Sequence, residues 1–187
     1  MSEPLTESEL LRRIAEGDKQ RYAEIVDRYK GKIYGLLRGM GAGHQDAQDL
    51  AQETFIRAYR RLGDLHERER FSAWLYSIAV NAMRDFARKR IIRPIGEERM
   101  PEPSSGETPE QRVLEREMRR EVQVMLEALP DKYRLVLLLR YTNELSYEEI
   151  ANITGLGTGQ VRNRIHRAKK MLYKKMQTEG GLRYEMF

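Results

Sequence analysis

Apolar residues recur every three or four positions along most of the chain. That is the period of an amphipathic helix, and no run of alternating β-branched residues between turn signals predicts a strand. Thr6 and Glu9 have capping-box spacing and open a short helix that Gly17 closes. Tyr22, Ile25, Val26, Tyr29, Ile33, Leu36, Leu37 and Met40 form one stripe, ended by Gly39, Gly41 and Gly43. A third helix is predicted from about His44 to Leu62, with Leu50, Ala51, Ala58 and Leu62 inward. Gly63 to Arg70 follows as a polar connector. A fourth helix runs from about Phe71 to Arg90, with Phe71, Trp74, Leu75, Ile78, Ala82 and Phe86 on one face. Four such stripes can bury one another and predict a compact helical domain.

The pattern then breaks. Pro94, Pro101, Pro103 and Pro109, with Ser104, Ser105 and Gly106, preclude helix and sheet ladders, so residues 91–108 read as an extended, flexible, acidic linker. Thr108-Pro109-Glu110-Gln111 restarts a helix, with Pro at the first helical position and Gln at the third, that runs to about Leu129. Pro130-Asp131 interrupts it, and a shorter helix carries Leu135 to Leu139. Ser146 and Glu149 make another capping box, opening a short helix to Ile153. The turn Thr154-Gly155-Leu156-Gly157 leads to a last helix, from Thr158 to about Met176. The tail after Gly180 is expected to fray. No tandem repeat is present.

Composition narrows the class. No run approaches the ~18 to 20 apolar residues of a membrane span. The stretch Met1 to Ser8 is polar and carries two Glu, unlike a signal peptide. The absence of Cys removes disulfides, thiolate zinc sites and thiol catalysis together. A cytoplasmic location fits. The net charge is +5, unevenly spread: residues 1–90 hold 17 Lys/Arg against 14 Asp/Glu, residues 91–108 hold 2 against 4, and residues 109–187 hold 15 against 11. Two basic clusters bracket an acidic connector, which points to a polyanionic partner.

Three local patterns carry chemistry. The strongest is Leu145 to Met171, two short helices joined by a glycine turn, the second amphipathic and basic, as in a helix-turn-helix. Ala151 suits a close approach, and Ile150, Ile153, Leu156, Val161 and Ile165 supply apolar contacts. The opposite face shows Arg162, Asn163, His166, Arg167 and Lys170. A merely solvated face would not need the capping box, the turn glycine and seven Lys/Arg with no acid between Thr158 and Thr178. Arg can bond guanine bidentately and Asn adenine, while Lys and the remaining Arg hold phosphates. The second pattern is Asp46, Asp49, Gln52 and Glu53, in a stretch with no Lys or Arg between Arg38 and Arg57. It reads either as a solvated face favoured by the helix dipole or as a docking surface for a basic protein; no His is placed to complete a metal site. The third is Trp74 to Arg90, where aromatic residues including Trp74, Tyr76 and Phe86 interleave with Arg84, Arg88, Lys89 and Arg90. Stacking and charge together suit single-stranded nucleic acid. Trp74 and Phe86 lie on the apolar stripe and are expected in the core, which leaves Asn81 and Arg84 as the better contacts. Gly39 to Gly43 lacks the strand and Lys-Ser/Thr of a phosphate loop and reads as a helix end. His44, His66 and His166 have no ligand spacing, and neither a cofactor nor a metal is expected.

These patterns, in this order, resemble a sigma-70 family RNA polymerase sigma factor of the small extracytoplasmic-function (ECF) group, over nearly the whole chain. Asp49-Leu-Ala-Gln-Glu-Thr-Phe-Ile-Arg-Ala-Tyr59 resembles the polymerase-binding helix, region 2.2. Phe71-Ser-Ala-Trp-Leu-Tyr-Ser-Ile-Ala-Val-Asn81 resembles the segment that melts and reads the −10 element. Leu129-Pro-Asp-Lys-Tyr-Arg134, Glu144-Leu-Ser-Tyr-Glu-Glu-Ile-Ala151 and Gly159-Gln-Val-Arg-Asn-Arg-Ile-His-Arg167 resemble region 4, which reads the −35 element. The resemblance implies an all-α chain: a sigma-2 type bundle over 1–90, the linker 91–108 and a sigma-4 type helix-turn-helix domain over 109–187. It implies a non-catalytic subunit whose Asp46, Asp49, Gln52 and Glu53 meet a basic coiled coil of the largest polymerase subunit, with the flap holding region 4. It assigns −10 DNA to His66, Arg68, Arg70, Trp74, Asn81, Arg84 and Arg88, with the Gly63–Arg70 connector and Asn81 forming a pocket for a flipped base. It assigns −35 DNA to Thr158, Arg162, Asn163, Arg164, His166, Arg167 and Lys170, with His166 on either a base or a phosphate. Glu97, Glu98, Glu102 and Glu107 would lie in a basic polymerase channel that later holds RNA. An anti-sigma factor is implied as a further partner. A stand-alone repressor would leave the acidic helix and the Trp74–Arg90 block without a use, and a nuclease would need a carboxylate or His cluster beyond the Asp46 patch.

Overall fold

The computed structural model describes residues 5–65, 67–92 and 121–178, and among these no strand occurs. The chain divides into two compact units, Met1–Met100 and Pro101–Phe187. The predicted linker from residue 93 on, the helix restart at Thr108-Pro109 and the tail from Gly180 lie outside the described residues.

In the first unit, α1 spans Glu7–Ala15 and buries Leu10, Leu11 and Ile14. Thr6 accepts from the Glu9 backbone N–H at 3.3 Å, but the reciprocal half of the expected capping box is not formed: the Glu9 carboxylate pairs with Arg12 and Arg13 instead. α2 spans Tyr22–Gly39 and buries Ile25, Tyr29, Ile33, Leu36 and Leu37, the predicted stripe. It ends where Gly41 takes φ +99°, letting the N–H groups of Gly41 and Ala42 reach the carbonyls of Arg38 and Leu37. α3 spans His44–Arg60. Its buried set includes Ala47, Thr54 and Phe55 beyond the positions expected from spacing, while Leu62 lies past the helix and is only half-buried.

α4 spans Phe71–Ile92, two residues past the predicted end, and packs on α2, α3 and the 3-10 turn Arg68–Arg70. Three neighbours cover more than one face. Tyr76, Val80 and Met83 are therefore buried together with Phe71, Leu75, Ile78 and Ala82. The single-face expectation was too narrow here. Tyr29 sits at the aromatic centre, edge-on to Phe71 at 5.7 Å and to Tyr76 at 6.3 Å. Its hydroxyl donates to the Glu7 carboxylate, which ties α2 to α1.

In the second unit, residues 121–127 are helical, Leu129 is buried and Pro130 breaks the run. α5 spans Asp131–Leu137 and continues as a π-helical turn over Leu138–Thr142. Val136 to Leu139 are all buried. Asn143 closes the turn, its Nδ2 donating to the Leu138 carbonyl at 3.1 Å. α6 spans Tyr147–Thr154 and starts with a complete capping box between Ser146 and Glu149. Gly155, at φ +72°, ends it, and α7 spans Thr158–Thr178. Ile150, Ala151 and Ile153 of α6 and Val136 of α5 share a core with Val161, Ile165 and Ala168 of α7.

Two measurable consequences follow from these contacts. Burial first, and the bond to Glu7 second, hold the Tyr29 phenol well above its usual range. The native chain then keeps a proton that the unfolded chain releases, so this contribution is full below pH ~10 and declines as pH rises further. Tyr29→Phe should flatten the alkaline fall in urea-unfolding midpoint; an unchanged slope would contradict the assignment. A Cβ at Gly155 would meet nothing within 4 Å. Gly155→Ala should therefore cost about 1–2 kcal/mol through backbone strain alone, and Gly155→Asn should cost less, as read by urea titration.

Candidate nucleic-acid interface

α7 presents the clearest surface. Its buried stripe of Val161, Ile165 and Ala168 forces the opposite side outward, and Thr158, Arg162, Asn163, His166, Arg167 and Lys170 are all exposed. Arg164 does not join them. At 3.6 residues per turn it falls beside Val161 and Ala168, and it is half-buried next to the packed stripe. The start of the helix is held by a bond that the spacing did not announce: Gln160 Oε1 accepts from the Gly157 N–H at 3.0 Å. Three cation–aromatic contacts brace the same unit. The guanidinium groups of Arg140 and Arg162 lie 5.0 and 5.7 Å from the Tyr147 ring centroid, and Lys169 Nζ lies 4.7 Å from that of Tyr141.

On α4, Trp74, Asn81, Arg84 and Arg88 lie at spacings of seven, three and four, so they share one face. At 1.5 Å per residue they span about 21 Å. Asn81, Arg84 and Arg88 are exposed, and Asn81 Oδ1 accepts from Arg84 Nη1 at 3.5 Å. Trp74 and Phe86 are half-buried rather than in the core, with Trp74 packed on Phe71 at 5.9 Å. Tyr76 leaves the candidate set because it is 1% exposed. Arg70 is exposed and paired with Glu67 at 2.7 Å, and Arg68 is half-buried. His66 lies outside the described residues.

The acidic face of α3 is also outward: Asp49, Gln52 and Glu53 are exposed. Asp46 stands apart. It is half-buried, and its carboxylate folds back over Gly43, 3.3 Å from where a Cβ would sit. Glu53 pairs with Arg57 one turn on, and Arg57 lies 3.8 Å from Asp85 of α4. Ile56 and Tyr59, absent from the candidates, continue this face with 51% and 37% exposure. The signal that could have found them is their offset from the buried positions Leu50, Thr54 and Ala58. Among the described residues no group of three His, Asp or Glu is placed to hold a metal, and no helix is long and apolar enough to cross a membrane.

Comparison with known proteins accounts for both units. The model of Sigma-70 region 2 matches residues 25–91, and that of Sigma-70, region 4 matches residues 119–172. The chain is 37% identical over 177 residues to the ECF RNA polymerase sigma factor SigW of Bacillus subtilis, covering 89% of this chain and 95% of that protein. It is 35% identical over 187 residues to the ECF RNA polymerase sigma-E factor of Haemophilus influenzae, covering 95% and 98%. Among solved structures it resembles CnrH in complex with the cytosolic domain of CnrY, with a TM-score of 0.72 and 27% identity over 93% of this chain and 99% of that one. With both units matched and most of its length aligned to these relatives, the chain belongs to the ECF group of sigma-70 family RNA polymerase sigma factors.

Proposed function

We propose that the chain joins core RNA polymerase and directs it to promoters, recognising −35 and −10 elements and promoting DNA melting without chemistry of its own. Residues 1–90 dock on the polymerase and read and open the −10 region. Residues 91–108 are the acidic connector, and residues 109–187 read the −35 region. The observation that carries this is the presence of three outward surfaces of different chemistry in one chain: acidic on α3, aromatic and cationic on α4, and free of acid on α7. A stand-alone repressor has a use for the last alone.

Each surface takes one task. Asp49, Gln52 and Glu53, with Ile56 beside them, face a basic coiled coil of the largest subunit. The Glu53–Arg57 pair is exposed on both sides, and exposed pairs stabilise little, so a partner cation can replace Arg57 at small cost. The strip of Trp74, Asn81, Arg84 and Arg88 follows one strand of opened DNA. Flipping a base costs a few kcal/mol, which stacking and hydrogen bonds near Asn81 offset. α7 enters the major groove with Arg162, Asn163, His166 and Arg167, while Thr158 and Lys170 hold phosphates, and the polymerase flap supports this unit. The reaction belongs to the cytoplasm, where polymerase and promoter are. An anti-sigma factor is the further partner; the similar CnrH was solved in complex with the cytosolic domain of another protein, CnrY.

Capture of purified core polymerase followed by run-off transcription tests the whole reading; failure to direct polymerase to any genomic start site overturns it. Asp49→Arg or Glu53→Arg should lower polymerase capture at least tenfold, a change of about 1.4 kcal/mol or more, with helix content and melting temperature retained. Wild-type capture by either variant removes the docking assignment. Asn81→Ala should slow open-complex formation more than it weakens the closed complex, followed by permanganate footprinting beside gel-shift titration. Equal losses in both would mean that Asn81 only supports packing.

A further inference from the structure

Tyr147 is the first residue of α6 and is half-buried. Its backbone is held in place by the capping box immediately before it, where the Ser146 N–H donates to Glu149 at 2.7 Å and the Glu149 N–H donates to Ser146 at 3.2 Å. The ring is approached by two cations from different elements. Arg140 comes from the π-helical turn, with Cζ 5.0 Å from the ring centroid, and Arg162 comes from α7, with Cζ at 5.7 Å. Both distances fall within the range where a guanidinium is attracted by an aromatic ring.

The two arginines are not equivalent. Arg140 is half-buried, and its Nη1 donates to the Leu145 carbonyl at 2.8 Å. Arg162 is exposed, and among the described residues no carboxylate pairs with it. Arg140 is thus held by the backbone as well as by the ring, whereas the contact found for Arg162 is with the ring. A free arginine loses considerable rotamer freedom when it is fixed on a base, and a side chain ordered beforehand loses less on binding.

We infer that Tyr147 is a positioning residue for −35 recognition: its ring pre-orders the Arg162 guanidinium on the outward face of α7 before DNA arrives. This rests on the reading of α7 as the −35 reader. The specificity of α7 is then set partly from α6, by a residue that need not touch a base. The ring carries the contact, so Phe serves in place of Tyr and an aliphatic residue of similar bulk does not.

The test uses holoenzyme reconstituted from the full chain and core polymerase. The probes are a promoter duplex on which the wild type gives run-off transcripts and the same duplex with its −35 base pairs scrambled; the readout is the ratio of the two affinities. Tyr147→Phe should keep the wild-type ratio. Tyr147→Leu should lower it about two- to fivefold, the fold-change that an exposed cation–ring contact supports, with melting temperature and polymerase capture unchanged. The double variant with Arg162→Ala should be no worse than Arg162→Ala alone. Multiplying losses, or a Tyr147→Leu ratio equal to wild type while Arg162→Ala lowers it, would overturn the inference. An Arg162→Ala ratio equal to wild type would instead defeat the assignment of Arg162 as a reader, and the inference with it. A second measurement needs neither DNA nor a folded Leu variant: ring current should shift the Arg162 side-chain protons upfield in the free wild-type chain, and random-coil shifts there would refute the contact.

Discussion

What the second unit can offer to DNA depends on the burial of three side chains, Val161, Ile165 and Ala168, against α5 and α6. α7 carries seven Lys/Arg and no acid between Thr158 and Thr178. Such a helix gains little from its own charges in water. Its rotation about its axis is set by the apolar stripe, because burying each large aliphatic side chain stabilises by roughly 1.5–3 kcal/mol. Turning the helix by one residue would bring an arginine toward the core, and an unpaired buried charge costs more than any of those gains. The same stripe that holds the fold together thereby selects which residues face outward.

The first unit solves a related problem with less freedom. α4 is covered by α2, α3 and a 3-10 turn, so most of its circumference is packed. The strip with Trp74, Asn81, Arg84 and Arg88 is what the neighbours leave uncovered. On α3, Ala47, Ala51 and Ala58 are buried and small, which lets its neighbours approach closely and pushes Asp49, Gln52 and Glu53 outward. Anionic and cationic surfaces therefore sit on separate helices of one core. Arg57 links them, paired with Glu53 and close to Asp85.

Much of this was legible in the sequence, for reasons that differ by element. α2 and α3 matched their predicted spans closely because periodicity and glycine stops act between residues adjacent in the chain. The Ser146–Glu149 capping box formed completely, while the same spacing at Thr6–Glu9 gave only half. Arg12 and Arg13 stand within reach of Glu9 and claim its carboxylate; among the described residues no ion pair is found at Glu149, whose carboxylate accepts from the Ser146 N–H. The spacing gave Tyr76 no place on the stripe shared by Phe71, Leu75 and Ile78. It is buried because a second neighbour covers that side of α4, a fact about distant parts of the chain.

The residues alone determined the helices, their stops, the two basic clusters and the types of side chain available for docking and for DNA. These follow from local spacing and net charge, which need no knowledge of neighbours. Only the tertiary structure decided that Tyr76 is buried and that Tyr147 reaches Arg162. Each of these depends on which side of a helix another element covers, and that is settled by the simultaneous burial of stripes far apart in the chain.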